Sequence, residues 1–367
     1  MPEAQFKAPQ FTIGEKESFG PTVRKRVNEY FKVHNKAKTG DYRIWIKVIM
    51  LPLIYLAAFA LILTYGASYG LLSFYGLWLI MGFAIAGMGL SIMHDANHGS
   101  LSQNKKINEF VGQFVLNFVA GSSINWKIQH NVLHHSFTNV DGYDEDISPS
   151  GVMRFSPNQE VKPFYKYQAY YAWFLYGLMT FIWATFKDFG QLNRFNKMGL
   201  LKAQGKKYGI EMRNLLIRKV IYYAAFIALP IFLLEVPWYH VLLGWFAMHF
   251  IAGLILGVIF QCAHVIPETV YPAINEEHKI EHDPATHQML TTANFANNNK
   301  ILSWYVGGLN FQIEHHLFPN ICHVHHKEIS KIVKQTAKEF GIPYHYTPKF
   351  KDALAGHARF LNQLGQA

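Results

Sequence analysis

The sequence predicts an all-α integral membrane protein, with four transmembrane helices in two hairpins and a cytoplasmic helical cap holding a His-rich metal site. Three observations predict it. Residues 48–93 contain no Lys, Arg, Asp or Glu, and residues 220–267 contain only Glu235. Each charge-free run is divided by a short turn, and none of the 34 Lys and Arg residues falls in either turn. The 19 histidines are the third, because many are clustered beside the ends of the apolar runs.

Residues 1–45 are polar and mixed in charge, with no apolar stretch of the kind a secretory signal needs. They are predicted to form a basic, membrane-facing lead-in with a short helix over 23–34. The first apolar run divides at Gly66-Ala67-Ser68-Tyr69-Gly70, giving crossings over 47–66 and 71–93. The second divides at Glu235-Val236-Pro237-Trp238, giving crossings over 218–235 and 239–262. Each is close to the roughly 20 residues that a bilayer requires. Pro230 is expected to kink the third.

Two further segments are predicted to lie as helices at the membrane surface. Residues 110–125 are uncharged but short and carry Gln113 and Asn117; residues 168–186 are crowded with Tyr170, Tyr171, Trp173, Tyr176 and Trp183. Such amphipathic aromatics favour the headgroup boundary. Residues 46–330 read as one membrane domain and 331–367 as a cytoplasmic tail. The region from 268 onward forms the cap, helical over 327–340.

Charge sets the expected orientation. If only the two hairpins span, every Lys and Arg lies on one face, which places both termini and the site in the cytoplasm. The net charge of +10 then reflects topology rather than nucleic-acid binding, and basic groups there would attract anionic lipid or a phosphate-bearing substrate. The two cysteines, Cys262 and Cys322, are too few for a disulfide framework or a Cys-based metal site.

The histidines fall in three clusters: His94-Asp95-Ala96-Asn97-His98, His130-Asn131-Val132-Leu133-His134-His135, and Gln312-Ile313-Glu314-His315-His316. His264 closes the fourth crossing. Two histidines four residues apart share a helix face and can hold one ion together. The two-hairpin topology brings all three clusters and His264 to the same membrane face. One zinc is satisfied by about four ligands, so eight imidazoles (His94, His98, His130, His134, His135, His264, His315 and His316) argue for two ions.

The segments HDANH, HNVLHH and QIEHH, with the flanks Gly308-Leu309-Asn310-Phe311 and Leu317-Phe318-Pro319, resemble the three His boxes of the membrane fatty acid desaturases. The glutamine opening the third box resembles the front-end, linoleoyl-CoA desaturase-like branch, which acts between an existing double bond and the carboxyl end. The resemblance covers roughly residues 45–330. It implies a non-haem di-iron centre, O2 as co-substrate, and an acyl-CoA or acyl-lipid substrate. It also implies electrons from a small carrier. No His-Pro-Gly-Gly haem motif occurs, so that donor is expected to be a separate ferredoxin or b-type cytochrome. By the same resemblance the eight histidines are the metal ligands, His264 being the extra ligand between the second and third boxes.

Other residues have competing readings. Gln312 either ligates through its amide oxygen or only bonds nearby. Asp95, Asn97, Asn139, Asp144, Asp146 and Glu314 are candidates for orienting the ligand rings. His249, near mid-membrane, is either functional or a neutral packing residue. His323, His325 and His326 are read as solvated or structural. A hydroxylase or ketolase of the same metal class is the nearest alternative function. A zinc-bearing receptor or hydrolase is more distant, and a transporter would place its histidines within the crossings.

Overall fold

The computed structural model describes residues 6–12, 18–148 and 151–366, and what it describes is mainly helix. Helix α1 (Phe19–Val33) precedes α2 (Tyr42–Tyr65) and α3 (Leu71–Asn97). Helix α4 (Lys105–Leu116) leads to α5, residues 123–134. Then come α6 (Gln168–Gly177) and α7, residues 179–197, which follows the break at Leu178. Helices α8 (Tyr208–Leu233) and α9 (Trp238–His264) complete the apolar set. Helices α10 (Pro284–Thr291), α11 (Gln312–Leu317), α12 (His326–Glu339) and α13 (Phe350–Gln366) follow.

Four of these, α2, α3, α8 and α9, are long and apolar enough to cross a membrane. Each runs past its predicted crossing: α2 begins at residue 42 and α8 at 208, α3 ends at 97, and α9 extends at both ends, over 238–264. The Asp41 side chain caps α2 by accepting from the Arg43 backbone N–H, and Gly66 ends it at φ 52°. Pro230 lacks an N–H and its ring crowds the carbonyl four residues back. The helix takes this up as a π-turn at Ala224–Ala228.

α3 and α9 form the centre of the bundle, with α2 against α3 and α6 and α7 against α9. A Cβ at Gly82 would stand 2.5 Å from the Met248 carbonyl oxygen, so only glycine permits this spacing of α3 and α9. Tyr55, Phe74, Trp78, Met81, Met88 and Met248 fill the interior. The outer faces are apolar as well: Ile49 and Leu53 on α2, and Ile217, Val220, Ile221 and Phe232 on α8, are exposed. A continuous apolar exterior of this extent fits lipid rather than water, and the chain is built as a membrane protein.

The 110–125 stretch is two helices rather than the single one expected. Ala120 takes φ 50°, and Ser122 caps the new helix by accepting from the Asn125 N–H. The aromatic 168–186 segment is helical but runs on to Lys197, burying Ala172, Tyr176 and Thr180. α1 and α12 lock together through Val23, Val27 and Phe31 against Ile329, Val333 and Ala337. The segment read as a tail is also packed. In α13, Leu361 and Leu364 are buried with Phe155 and Tyr176, and His357 contacts the Val265 carbonyl at 2.7 Å. Two parallel ladders, Gln10–Phe11 with Lys279–Ile280 and Asn294–Phe295 with Tyr346–Thr347, tie distant segments together.

Candidate metal centre

The apolar helices deliver their histidines at their ends. α3 opens into a π-turn at Met88–Met93 and then carries His94 and, one turn on, His98. α5 passes into a π-turn at Ile128–His134. That widening makes residues five apart neighbours: the His135 N–H donates to the His130 carbonyl, and the two Nε2 atoms lie 3.2 Å apart. His264 ends α9, and α11 supplies His315 and His316.

All eight predicted histidines meet in one place. The nitrogens of His94, His98, His130 and His315 form one group, and those of His134, His264 and His316 a second. His135 with His315 and His316 bridges the two. His94 Nε2 is 3.2 Å from His130 Nε2. The Nε2 atoms of His98, His134, His315 and His316 are buried with no hydrogen-bond partner. Buried ring nitrogens left bare are costly, and a cation among them supplies the missing partner. The pocket therefore fits metal on its own chemistry.

Burial, reinforced by the neighbouring imidazoles, holds His98, His130, His135, His315 and His316 well below the usual imidazole range. They are neutral, with a lone pair to give. His134 differs: burial acts against its charge, but the Asp144 carboxylate outweighs it and the pKa rises.

In the second group each ring is held from behind. His134 Nδ1 faces the Asp144 carboxylate at 3.0 and 3.1 Å. His264 Nδ1 faces the Thr291 carbonyl at 3.3 Å, and His316 Nδ1 the Gln288 Oε1 at 2.8 Å. Each partner accepts, so each Nδ1 carries the proton, and the Nε2 atoms of His134 and His316 are left bare. Gln312 joins this group, its amide nitrogen 2.9 Å from His264 Nε2, with Oε1 buried and unpaired.

The other candidates divide. Asn139 donates its backbone N–H to Asp144 and its side-chain amide to the His264 carbonyl. Asp146 reaches His134 Nδ1 only at 3.5 Å. Asp95, Asn97 and Glu314 hold chain segments rather than ligand rings. Asp95 accepts from His323 Nδ1 at 2.6 Å and from the Cys322 thiol at 2.9 Å. The far nitrogen of that imidazole lies 2.9 Å from the Lys47 ammonium, which also donates to the Trp304 carbonyl. Asn97 accepts from the Ser123 hydroxyl, pinning α3 to α5. Glu314 accepts from Asn294 and Tyr344, and burial pushes its carboxyl up to about 7.

His323, His325 and His326 are buried, which rules out the solvated reading and leaves the structural one. His325 lies against the Thr39 carbonyl and His326 against that of Ile321. His249 is buried and hydrogen-bonded to Tyr222 and Thr180.

Two aromatic neighbours escaped the sequence reading. The Trp126 ring lies 4.4 Å from His130 and 5.6 Å from His94 and His98; Phe260 lies 4.9 Å from His264 and 5.0 Å from His134. Each stands four residues before a site histidine, the spacing that puts two side chains on one helix face. Gln288 and Thr138, which hold His316 from behind, left no such trace. Gly307 settles the approach of the third box: at φ 62°, a Cβ there would lie 2.5 Å from the Leu90 carbonyl oxygen.

Imidazoles gathered from four chain segments, two of them the ends of spanning-length helices, define a membrane protein built around a His-lined metal pocket. Comparison with known proteins gives the family. The chain matches the fatty acid desaturase family over residues 70–348, and it belongs to that family. It is 33% identical over 364 residues to the sn-1 linoleoyl-lipid 6-desaturase of Synechocystis sp., covering 98% of this chain and 99% of that protein. It is 34% identical over 363 residues to the acyl-lipid (8-3)-desaturase of Physcomitrium patens, covering 97% and 73%. The similar 6-desaturase of Arthrospira platensis is 31% identical over 353 residues, 96% of this chain and 94% of that protein. The chain is thus an oxidoreductase, a fatty acyl desaturase, of an iron-dependent family.

Proposed function

We propose that this desaturase acts at the front end of a lipid-linked acyl chain, placing a cis double bond between an existing one and the carboxyl group. Its eight site histidines hold two non-haem iron ions. The observation that carries this is the convergence of those eight imidazoles, several with bare, inward-facing nitrogens, in one buried pocket. That is twice the donor set of one tetrahedral ion. The activities for which the Synechocystis and Physcomitrium relatives are named support the acyl-lipid substrate and the front-end position.

Iron with O2 supplies the oxidising power that an unactivated C–H bond requires and that no side chain offers. The chain's own residues orient and insulate. Asp144, Gln288 and the Thr291 carbonyl fix three ring tautomers. Trp126 and Phe260 pack hydrocarbon against the imidazoles and exclude water. The acyl chain enters between the spanning helices while its polar head stays at the basic face, so depth of entry sets which carbon meets the centre. The turns at 66–70 and 234–237 hold no Lys or Arg, which supports a cytoplasmic site and termini. Electrons come from a separate ferredoxin or b-type cytochrome.

Expression in a host of known lipid profile, followed by mass spectrometry of its fatty acids, tests this reading. A new front-end alkene from the parent, absent with His315→Ala, is expected. An alcohol product, or alkene that persists unchanged in His315→Ala, overturns it.

A further inference from the structure

The charge of this chain is unevenly placed. Residues 24–38 and 326–339 hold ten Lys and Arg against three Glu, a net +7 in a chain of net +10. The two stretches meet in space. α1 and α12 run side by side in opposite directions: the Phe31 ring packs on His325 at one end, and Arg26 reaches Thr336 and Glu339 at the other. Their apolar stripes face each other and Ile313 and Phe318, so the outward face is left to lysine. Lys25, Lys32, Lys36, Lys327, Lys334 and Lys338 are exposed. Internal pairing neutralises little of this charge: Arg26 meets Glu339, and Lys331 meets Glu328.

Where α1 ends and α12 begins, the face is hollowed into an open concavity of about 360 Å³, lined by Tyr30, His34, Lys36, Val324, His325 and Lys327 among others. Lys36 and Lys327 are exposed at its rim, and the buried His325 forms its base. That base backs onto the metal pocket. His325 is peptide-bonded to His326, whose ring lies 6.1 Å from that of the site residue His315. Two residues before it, His323 is bonded to Asp95, the neighbour of His94.

A concave basic face attracts and orients an acidic partner. α1 alone extends about 22 Å, the scale of a protein contact rather than of one lipid phosphate. Desaturation also calls for such a partner. Two hydrogens leave the acyl chain, and with two electrons and two protons from outside, O2 becomes two waters. A carrier that brings the electrons singly must dock, transfer and depart, and the small contacts of electron-transfer complexes, below about 1,200 Å², permit that cycle.

We propose that the face formed by α1 and the start of α12 docks the electron donor, a small acidic one-electron carrier protein, over the concavity rimmed by Lys36 and Lys327. The inference rests on the reading that this desaturase draws its electrons from a separate protein. In each encounter the reduced carrier is oxidised by one electron, and two encounters serve one double bond.

The test holds purified, metal-loaded protein in phosphatidylcholine nanodiscs, whose lipid has no net charge. Binding of an acidic [2Fe–2S] ferredoxin and of an acidic b-type cytochrome domain is followed by surface plasmon resonance at graded salt. At least one carrier should bind the parent, and more weakly as ionic strength passes about 0.15 M. The triple variant Lys32→Glu, Lys36→Glu, Lys327→Glu should slow its association at low salt about tenfold or more; the corresponding Gln triple should slow it by less. Lys202→Glu, Lys206→Glu, Lys207→Glu changes total charge equally on the exposed connection between α7 and α8, and should stay within about twofold of the parent. Metal content and thermal unfolding should match in all of them. Equal association with parent and the first triple, equal loss in both Glu triples, or a parent that makes alkene in cells yet binds neither carrier overturns the assignment. So does a loss that appears only when the discs contain phosphatidylserine, which would give the face to anionic lipid. A host that gains no alkene from the parent fails the functional reading instead, whatever the binding shows.

Discussion

Asp144→Asn removes one oxygen from a buried carboxylate that serves three donors. Its Oδ1 accepts from His134 Nδ1 at 3.1 Å and the Asp146 N–H at 2.9 Å; its Oδ2 accepts from the same ring nitrogen at 3.0 Å and the Asn139 N–H at 2.9 Å. Whichever oxygen becomes an amide NH2, a backbone N–H then faces another donor. Loss of the charge-assisted bond to His134 costs about 1.5–3 kcal/mol, and the stranded N–H about 1–3 kcal/mol more. Together these give roughly 3–6 kcal/mol of lost stability. His134 also loses the charge that fixes its tautomer, so metal affinity should fall about 10- to 100-fold. The assay is metal per chain by mass spectrometry after dialysis against a graded chelator, with thermal unfolding in parallel. Asp146→Asn is the internal comparison: its carboxylate reaches the same ring only at 3.5 Å, so its effect on metal retention should be distinctly smaller. An Asp144→Asn protein that keeps metal as tightly as the parent would refute the reasoning, as would equal effects at the two positions.

Two further outcomes follow from the geometry. Gly307→Ala must hold a left-handed backbone and drive a methyl into the α3 π-turn. It should lose about 2–5 kcal/mol and release metal in proportion, read by thermal unfolding and metal content; a stable, fully loaded variant would contradict the packing described. Glu314 binds its proton more tightly folded, near 7, than unfolded. Its contribution is therefore full below an unfolded pKa of about 4.5 and lost as pH rises through 7, on the order of 3 kcal/mol in all. Metal-free parent should lose thermal stability relative to Glu314→Gln as pH is raised from about 5 to about 8, and parallel curves would show that the carboxyl is not protonated in the fold.

What the sequence disclosed and what it hid divide along physical lines. Charge-free runs report the spanning helices because a bilayer tolerates little else, although the ends drift. α8 begins at Tyr208, ten residues before the apolar pattern, since Arg213, Arg218 and Lys219 can lie on a helix end without being apolar. Spacing marked His94 with His98 and His130 with His134, since helix geometry turns i, i+4 into proximity, while His135, His264, His315 and His316 were singled out by adjacency, by topology and by the family resemblance. It could not find the π-turn that makes His130 and His135 neighbours. The uncharged 110–125 stretch misled because an apolar count is blind to backbone direction; Gly121-Ser122-Ser123, a turn followed by a capping serine, was the visible clue. Asp144 was legible from its closeness to the second box, whereas Gln288 reaches His316 from a different element. The link from Asp95 through His323 to Lys47 joins residues more than two hundred apart, and no local pattern records it.

The most direct test is the metal itself, counted in purified, fully loaded protein. Two irons for each polypeptide are the expected result, with His264→Ala and His315→Ala each falling well short. A single zinc per polypeptide, or a loaded protein without iron, would contradict the reading of these imidazoles as the cradle of a paired iron centre.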